Sequence, residues 1–542
     1  MRGAWLAFGV PFALASVAAV PGHARGPSSL ERDWARGTEI FDGGRLLPRA
    51  VPVRGALSGA ADARPARRLD PRVSLLLRAE AFNRKEPVWP GYSVLGQPIL
   101  LYEGGERSTL IGHPSPPPGY RTVRGRPAAI YQKEGPVPGL QGAFNFHRDV
   151  NGVDTFAYRF ESGSAPAEDL ATIIHERFHV HQETSFSQFP YGHYYGVADA
   201  RDLALAKLEH SVLGRALLAS DNAVSARYAR MFVAVRRARY AEHGDAARPV
   251  EDSQEQSEGM ARYVELKLTA PPGLGGRGRA WLIGDLDRPV TLKDMGKWRL
   301  YATGAAQGYL LDRARLDGWK EAVQDGTSLF YVTTLAYPVD PSREPGLVQS
   351  AKREFDYPAL LAEAEDEIEG HSREKQAAVR MYESQPGLEL ILPHGPRPIP
   401  TYFSGGGETY SFDDGSSLIT RMKVIEQRGT DYSLIVEDRP AILGPQGMTR
   451  FHIPETASLV IDGRASVLAP GVYPFRSLRM SAPGFELSAD IPGTLTVDDD
   501  RVRVEWQGRH QGRYARRPPP ADDTFPITQW YKRPVGASRN RR

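Results

Sequence analysis

The pentapeptide His-Glu-Arg-Phe-His at residues 175–179 contains the residue types of a catalytic metal site. On a helix each residue advances about 100° around the axis, so His175 and His179 project only about 40° apart, one turn from each other. That spacing lets both rings bind one zinc ion at about 2.0–2.1 Å. Glu176 projects beside them, where its carboxylate can accept a proton from a zinc-bound water. The pattern predicts zinc, a general base and a hydrolytic reaction.

The chain around this pentapeptide has the features of a helix. Ser164 and Pro166 followed by Glu168 and Asp169 are typical of a helix start. The next residues, LATIIHERFHVHQ, contain no Gly or Pro and are rich in apolar side chains. We therefore expect a mostly buried helix, as a metal helix inside an enzyme would be. The alternative is an ordinary buried helix whose histidines are hydrogen-bonded.

A catalytic zinc also needs a third protein ligand and one open position for water. The extended HExxHxxGxxH motif of metzincins is excluded, because Gln182 and Ser185 occupy its glycine and third-histidine positions. Compact enzymes of the thermolysin type place a Glu about twenty residues further on, where this chain has Asp199 instead. Asp199 would serve an aspartate-liganded variant. Glu209, within the helical stretch LAKLEHSVLGRALL, is another candidate.

Glu258 is the preferred third ligand. The segment from Glu251 to about Leu268 is predicted to be a helix, and EGMARYVE within it places Glu258 and Glu265 on one face. Gly259 and Ala261 are small, so they would let this helix approach the metal helix closely enough for a short Glu side chain to reach the ion. The alternative is a charged helix face that is simply solvated.

HERFHVHQ followed downstream by EGMARYVE resembles the gluzincin type of zinc metallopeptidase. It is most similar to bacterial secreted peptidase-like families that carry HExxHxxQ and a later EGxAxY, and the resemblance covers roughly residues 88–335. It implies His175, His179 and Glu258 as zinc ligands and Glu176 as the base. The spacing between His179 and Glu258 is longer than in compact gluzincins, and we expect the intervening residues to form an inserted helical hairpin.

Three further features fit an enzyme of this type. The stretch Gly152–Ser162 predicts a strand leading into the metal helix, and we expect an edge strand that pairs with the substrate backbone or, alternatively, a plain packed strand. Gln97–His113 predicts a hairpin that turns at Gly104-Gly105. The helix predicted over Trp298–Arg313 offers Tyr301 as a catalytic electrophile for the oxyanion, with Tyr309 as a second candidate. Ordinary packing of a helical tyrosine is the alternative.

Composition limits the remaining possibilities. A chain of 542 residues suggests two to four domains, and 68 basic against 65 acidic residues give a net charge of +3. That balance gives no reason to expect a nucleic-acid partner. The chain has no cysteine, which rules out a cysteine metal site, a disulfide and lipid attachment at a lipobox.

The remaining chain divides by composition. Residues 1–24 are interpreted as a secretory signal peptide, with an uncleaved membrane anchor as the alternative, and no other segment resembles a transmembrane span. We expect an Arg/Ala/Pro-rich linker at 25–70, a zincin-like metallopeptidase domain at 71–395, a β-rich accessory domain at 396–512 and a flexible basic tail at 513–542. The predicted fold class is α+β: a mainly helical zincin-like domain with a small β-sheet, followed by a β-sandwich-like domain.

Together these features predict an exported zinc-dependent peptidase, periplasmic or secreted, from a bacterium with GC-rich DNA. Its partner would be a peptide or protein substrate. One alternative is a non-catalytic exported binding protein on a zincin scaffold. Another is a zinc hydrolase of a non-peptide amide or ester, because HExxH chemistry activates water without selecting the bond that is cleaved. The sequence does not separate endopeptidase from aminopeptidase activity.

Overall fold

The structure is a computed structural model that describes residues 69–507 except for 104–106, 126, 138–146, 162, 188–198, 244–246, 394–400, 413, 430 and 445–447. The predicted signal peptide, nearly all of the linker, the domain boundary at 395/396 and the basic tail lie outside the described residues. Those residues form two compact units, one ending at His371 and the next beginning at Ser372. Among them, no helix has both the length and the apolar character needed to cross a membrane.

The first unit is mainly helical. Its α-helices in chain order are α1 (Pro71–Lys85), α2 (Pro166–Ser185), α3 (Ala200–Leu218), α4 (Asn222–His243), α5 (Arg248–Gln254), α6 (Met260–Thr269), α7 (Arg279–Asp287), α8 (Trp298–Ala314), α9 (Trp319–Gln324), α10 (Leu329–Ala336), α11 (Glu344–Glu354) and α12 (Tyr357–Glu383), the last of which continues into the second unit. A π-helical turn, Glu255–Gly259, joins α5 to α6, and short 3₁₀ turns lie at Pro272–Leu274 and Leu292–Asp294. The predicted helices over 164–182, 251–268 and 298–313 are thus confirmed, apart from the π turn.

A six-stranded sheet accompanies these helices. Its strands are β1 (Ile99–Glu103), β2 (Arg107–Ile111), β3 (Arg121–Arg124), β4 (Ile130–Glu134), β5 (Arg148–Val150) and β6 (Val153–Phe160), in the order β3-β4-β2-β1-β6-β5. The antiparallel pairing of β1 with β2 confirms the predicted hairpin, whereas its predicted turn at Gly104-Gly105 lies outside the described residues. The expectation that β6 is an edge strand is wrong, because β6 lies between β1 and β5 in the sheet order. Its residues 153–155 pair with β5, and its residues 156–160 pair in parallel with β1.

Helix α2 is buried through its apolar side chains, as its composition predicts. Leu170, Ile173, Ile174 and Phe178 are fully buried in the core of this unit. Ser164 does not cap the helix, whose N-cap is Ala165 with no side-chain hydrogen bond. Instead, the Ser164 hydroxyl donates to Asp169 at 2.7 Å. Burial of the apolar side chains, and not a side-chain cap, therefore holds α2 in the core of this unit.

The described part of the insertion between the histidines and Glu258 contains the helical hairpin that we expect. Helices α3 and α4 pack together and are joined by only three residues. The two helices are connected by buried ion pairs, such as Arg236 with Glu209 at 2.8 Å. The long spacing therefore brings Glu258 back toward α2 through a packed structure.

The second unit is β-rich, as predicted. Its strands are β7 (Leu388–Leu392), β8 (Thr401–Gly405), β9 (Thr409–Ser411), β10 (Ser417–Arg428), β11 (Tyr432–Leu443), β12 (Thr449–Ile453), β13 (Ser458–Ile461), β14 (Arg464–Ser466), β15 (Gly471–Phe475), β16 (Leu478–Ala482), β17 (Phe485–Ala489), β18 (Gly493–Val497) and β19 (Arg501–Trp506). They form one curled, continuously hydrogen-bonded sheet. In β19, Val502, Val504 and Trp506 are buried while the charged residues between them are exposed, which is the predicted alternation.

Candidate metal centre

His175, His179 and Glu258 come together at one point in the helical unit. The two histidines lie one turn apart on α2, and Glu258 lies in the π-helical turn before α6. The Oε2 atom of Glu258 is 3.3 Å from His175 Nε2 and 3.2 Å from His179 Nε2. Each of the three residues offers one ligand atom, and these three atoms lie within 4.8 Å of one another. Among the described residues, this is the group that could hold a metal ion.

The two histidine-to-carboxylate separations are close to those in a tetrahedral metal site. Two ligand atoms at adjacent corners of a tetrahedron, each about 2.0–2.1 Å from zinc, lie about 3.3–3.4 Å apart. Two imidazole nitrogens and one carboxylate oxygen are also a common ligand set for catalytic zinc. His175 and Glu258 are buried, whereas His179 keeps 23% of its side-chain surface exposed. The residues therefore fit a metal ion that is bound by buried side chains on one side and is accessible on the side of His179.

The outer nitrogen of His175 faces a second carboxylate. His175 Nδ1 lies 3.4 Å from Oε2 of Glu265, which lies two turns after Glu258 on α6. Arg262 and Arg277 in turn pair with the other carboxylate oxygen. Metal-binding histidines commonly donate their second ring N–H to a carboxylate, which fixes the ring orientation. Glu265 thus orients His175 with Nε2 toward Glu258.

The outer nitrogen of His179 faces an amide. His179 Nδ1 lies 2.8 Å from Oε1 of Gln182. The Nε2 amide of Gln182 donates to the carbonyl oxygens of Gln256 at 2.9 Å and Ser257 at 3.0 Å. Gln182 therefore contacts both elements that supply the three candidate ligands.

Two glycines permit the close helix crossing behind Glu258. A Cβ atom on Gly259 would lie 2.6 Å from the Cα of Gly304, and a Cβ on Gly304 would lie 2.7 Å from the Cα of Gly259. The small size of Gly259 is therefore required, but for contact with α8 and not, as the sequence suggests, with the metal helix. The π turn lies at this crossing. Such turns are rare in proteins, but those that occur are often at functional sites.

A buried cluster of charges fixes the same turn from the other side. Glu255, the first residue of the π turn, accepts hydrogen bonds from Arg236 at 2.7 Å and Gln307 at 2.7 Å, and also from Thr303. Glu209, one of the three candidate ligands, belongs to this cluster through Arg236 and Arg239. Burial alone would raise the pKa of Glu209, but the neighbouring arginines lower it overall. Glu209 therefore has a structural ion-pairing role and lies outside the His175–His179–Glu258 group.

Asp199 also lies outside that group. It is the N-cap of α3, where its carboxylate accepts from the backbone N–H groups of Arg201 at 2.8 Å and Asp202 at 3.0 Å. Such caps satisfy the free donors of a helix start. Of the three carboxylates that the sequence offers, the structure places only Glu258 beside the two histidines.

The charges around His175 favour a cation. Burial lowers the pKa of the His175 imidazole, but Glu258 and Glu265 raise it by more than burial lowers it. The net pKa is about 10. The pKa of Glu258 is raised by burial but lowered overall by His175 and His179. Two carboxylates thus surround one buried imidazole, and a divalent metal would supply the positive charge that this arrangement stabilises.

Tyr301 lies against the site, whereas Tyr309 does not. The Tyr301 ring stacks on His175 with centroids 5.6 Å apart and planes 5° apart. Burial raises the pKa of the Tyr301 hydroxyl, and Glu258 and Glu176 raise it further, so this group keeps its proton and can donate a hydrogen bond. Tyr309 instead packs against Tyr263 at 5.6 Å. The structure therefore favours Tyr301 as the hydrogen-bond donor at the site.

Glu176 and Lys297 lie on the accessible side. The Glu176 side chain is partly exposed. Its negative charge contributes to raising the pKa values of His175, Tyr301 and Lys297. Burial lowers the pKa of Lys297, while Glu258 and Glu176 raise it. Its ammonium lies 5.1 Å from the ring centre of Trp298, which stacks on Tyr301. Glu176 is thus next to the candidate ligands without being one of them.

Sequence reasoning missed several of these contributors. Lys297 belongs to no motif, and its place beside the site depends on where α8 begins. Gln182 enters the sequence argument only to exclude a metzincin and as the last residue of HExxHxxQ, without a role, although its place three residues after His179 puts it on the same helix face. The buried cluster of Arg236, Arg239 and Arg299 has no local signal, because its partners are far apart in the chain.

Comparisons with protein-family models, with curated proteins and with solved structures gave no match for this chain. The likeness of HERFHVHQ and EGMARYVE to gluzincins therefore depends on those motif residues alone. Support for a function comes from the geometry of the site.

Proposed function

We propose that this protein is an exported zinc metallopeptidase with a zincin-like catalytic domain. The observation that carries the proposal is the convergence of ligand atoms of His175, His179 and Glu258 within 4.8 Å of one another. Both histidine-to-carboxylate separations are close to the value for a tetrahedral zinc ion. Glu176 directly follows the first of these ligands, in the position of a general base. The export signal is inferred from residues 1–24.

The side chains have distinct roles in this proposal. His175, His179 and Glu258 would hold zinc, which when bound lowers the pKa of a water ligand and polarises a carbonyl. Glu176 accepts a proton from the attacking water and later donates it to the leaving amine. Tyr301, whose hydroxyl stays protonated, donates a hydrogen bond to the carbonyl oxygen as negative charge develops there.

The side of the site that bears Glu176 provides access for a substrate. His179 and Glu176 keep part of their surface exposed, and Trp298 is 54% exposed next to Tyr301. His175, Glu265 and the π turn close the opposite side through burial. A peptide would approach from the accessible side, where the proposed base and electrophile lie.

The test is a cleavage screen of the full chain against a mixed peptide library, read by mass spectrometry with and without a zinc chelator. We expect cleavage that the chelator abolishes and that added zinc restores. Cleavage that persists after the metal has been removed would overturn the zinc mechanism. Stoichiometric zinc without cleavage of any peptide would instead favour a binding protein, and hydrolysis confined to non-peptide amides or esters would favour the other hydrolase class.

A further inference from the structure

We propose that Gln182 is a positioning residue that joins the two ligand-bearing elements of the metal centre. Its single amide contacts His179 at one end and the turn carrying Glu258 at the other. The inference deepens the proposed function, because it rests on the same three-residue metal site.

The hydrogen bonds fix the direction of the Gln182 amide. Its nitrogen end faces two carbonyl oxygens, those of Gln256 and Ser257, which can only accept. The oxygen end therefore faces His179 Nδ1 at 2.8 Å. Because an amide oxygen can only accept, His179 must carry its proton on Nδ1. In the neutral ring this leaves the lone pair on Nε2, directed at the Glu258 side of the site, as a metal ligand requires.

The other half of the contact holds the π turn. Gln256 and Ser257 are the two residues directly before Glu258, and both lie within Glu255–Gly259. Their carbonyls lie where the regular helical hydrogen bonding changes from α to π and back, so a side-chain donor helps to satisfy them. The Glu258 backbone is thus tied to the same helix that bears both histidines.

Both ends of the amide are needed for this arrangement. Gln182→Met keeps the length and most of the volume but removes the acceptor and the donors. Gln182→Glu keeps an acceptor for His179 Nδ1 but places a negative oxygen against the two carbonyls. Thr184→Val is the matched control, since Thr184 is exposed on the same helix and its hydroxyl donates to carbonyls of that helix.

The experiment measures the zinc dissociation constant of the full chain and these variants by competition with a chromophoric chelator, together with the thermal midpoint of the metal-free proteins. We expect Gln182→Met to bind zinc about 10–100-fold more weakly. Gln182→Glu should lose less affinity, and Thr184→Val should match the unmodified chain. If Gln182→Met fails to fold, the zinc affinity and the rate of zinc release of Gln182→Glu are compared with those of Thr184→Val to test the positioning role.

The outcomes separate this proposal from the proposed function. Zinc affinity of Gln182→Met within twofold of the Thr184→Val control would overturn the positioning role. A loss in Gln182→Glu as large as in Gln182→Met would overturn the contact to His179, and no loss would overturn the tether to the π turn. An unmodified chain that binds no zinc overturns both proposals, whereas one that binds zinc without hydrolysing peptides overturns only the peptidase.

Discussion

Glu255 and Arg236 form a fully buried ion pair at 2.7 Å, three residues before the metal-site residue Glu258. The same arginine pairs with Glu209 on α3, so two helices of the insertion are bonded to the π turn. Thr303 and Gln307 on α8 also bond to Glu255. The charged cluster therefore connects the long insertion to the position of Glu258.

Glu255→Gln should destabilise the metal-free protein strongly. The substitution removes a charge that two neutral donors and one buried guanidinium share, and breaking a buried pair costs about 3–5 kcal/mol. Urea denaturation of the metal-free protein measures the change. Glu354→Gln, which alters the exposed pair with Arg227, is the control and should cost less than about 1 kcal/mol. Equal effects in the two variants would contradict a structural role for the cluster.

Gly304→Ala should weaken both the fold and the metal site. The new methyl group would lie 2.7 Å from the Gly259 Cα and 2.8 Å from the Glu255 carbonyl oxygen, both of which are backbone atoms. Overpacking of this kind costs about 1–3 kcal/mol. Denaturation and zinc titration measure the two effects. Gly284→Ala in α7 meets nothing within 4 Å and should instead be stabilising by up to about 1 kcal/mol. A neutral Gly304→Ala would show that the crossing is not tight.

The local parts of this site could be predicted from the sequence. His175, Glu176 and His179 are close in the chain, so helical periodicity alone places them together. The segments predicted as helices around Glu265 and around Tyr301 contain no proline and have apolar residues at helical spacing. The α+β class follows for the same reason, from a change of periodicity near residue 395.

The rest depends on contacts between distant residues. Nothing in the sequence near Glu209 reveals Arg236 as its partner, so composition alone does not remove Glu209 as a candidate ligand. The π turn requires Gly259 and Gly304 to meet, and that contact is set by how α8 packs. Such features become visible only when the helices are assembled.

Asp252→Asn should remove a pH-dependent loss of stability. Burial raises the pKa of Asp252 from 3.8 to about 6, although Ser328 and Arg248 oppose the shift. The folded state therefore holds this proton more tightly than the unfolded state, so the free energy of unfolding falls as pH rises from about 4 to about 6. The variant cannot ionise, and above pH 6 it should be more stable than the unmodified chain by at most about 3 kcal/mol. Chemical denaturation at several pH values measures the difference, and a difference that is constant across this range would contradict the assignment.

Tyr301→Phe should slow hydrolysis without weakening metal binding. The substitution removes the proposed hydrogen bond to the developing oxyanion but keeps the ring that stacks on His175. Loss of one such donor costs about 10²–10³ in kcat. The readouts are the rate of peptide cleavage and the zinc affinity. Tyr309→Phe, at a hydroxyl that lies away from the site, is the control and should change neither. Full activity in Tyr301→Phe would exclude Tyr301 as the electrophile.

The most direct test of the central claim compares Glu176→Gln with His179→Ala, using zinc content by elemental analysis and peptide cleavage on the same samples. Glu176 is proposed to move a proton without binding metal, whereas His179 is proposed to bind it. We expect Glu176→Gln to retain one zinc per chain and lose nearly all hydrolysis, and His179→Ala to lose both. Unimpaired cleavage by Glu176→Gln, or a full zinc content in His179→Ala, would contradict the account.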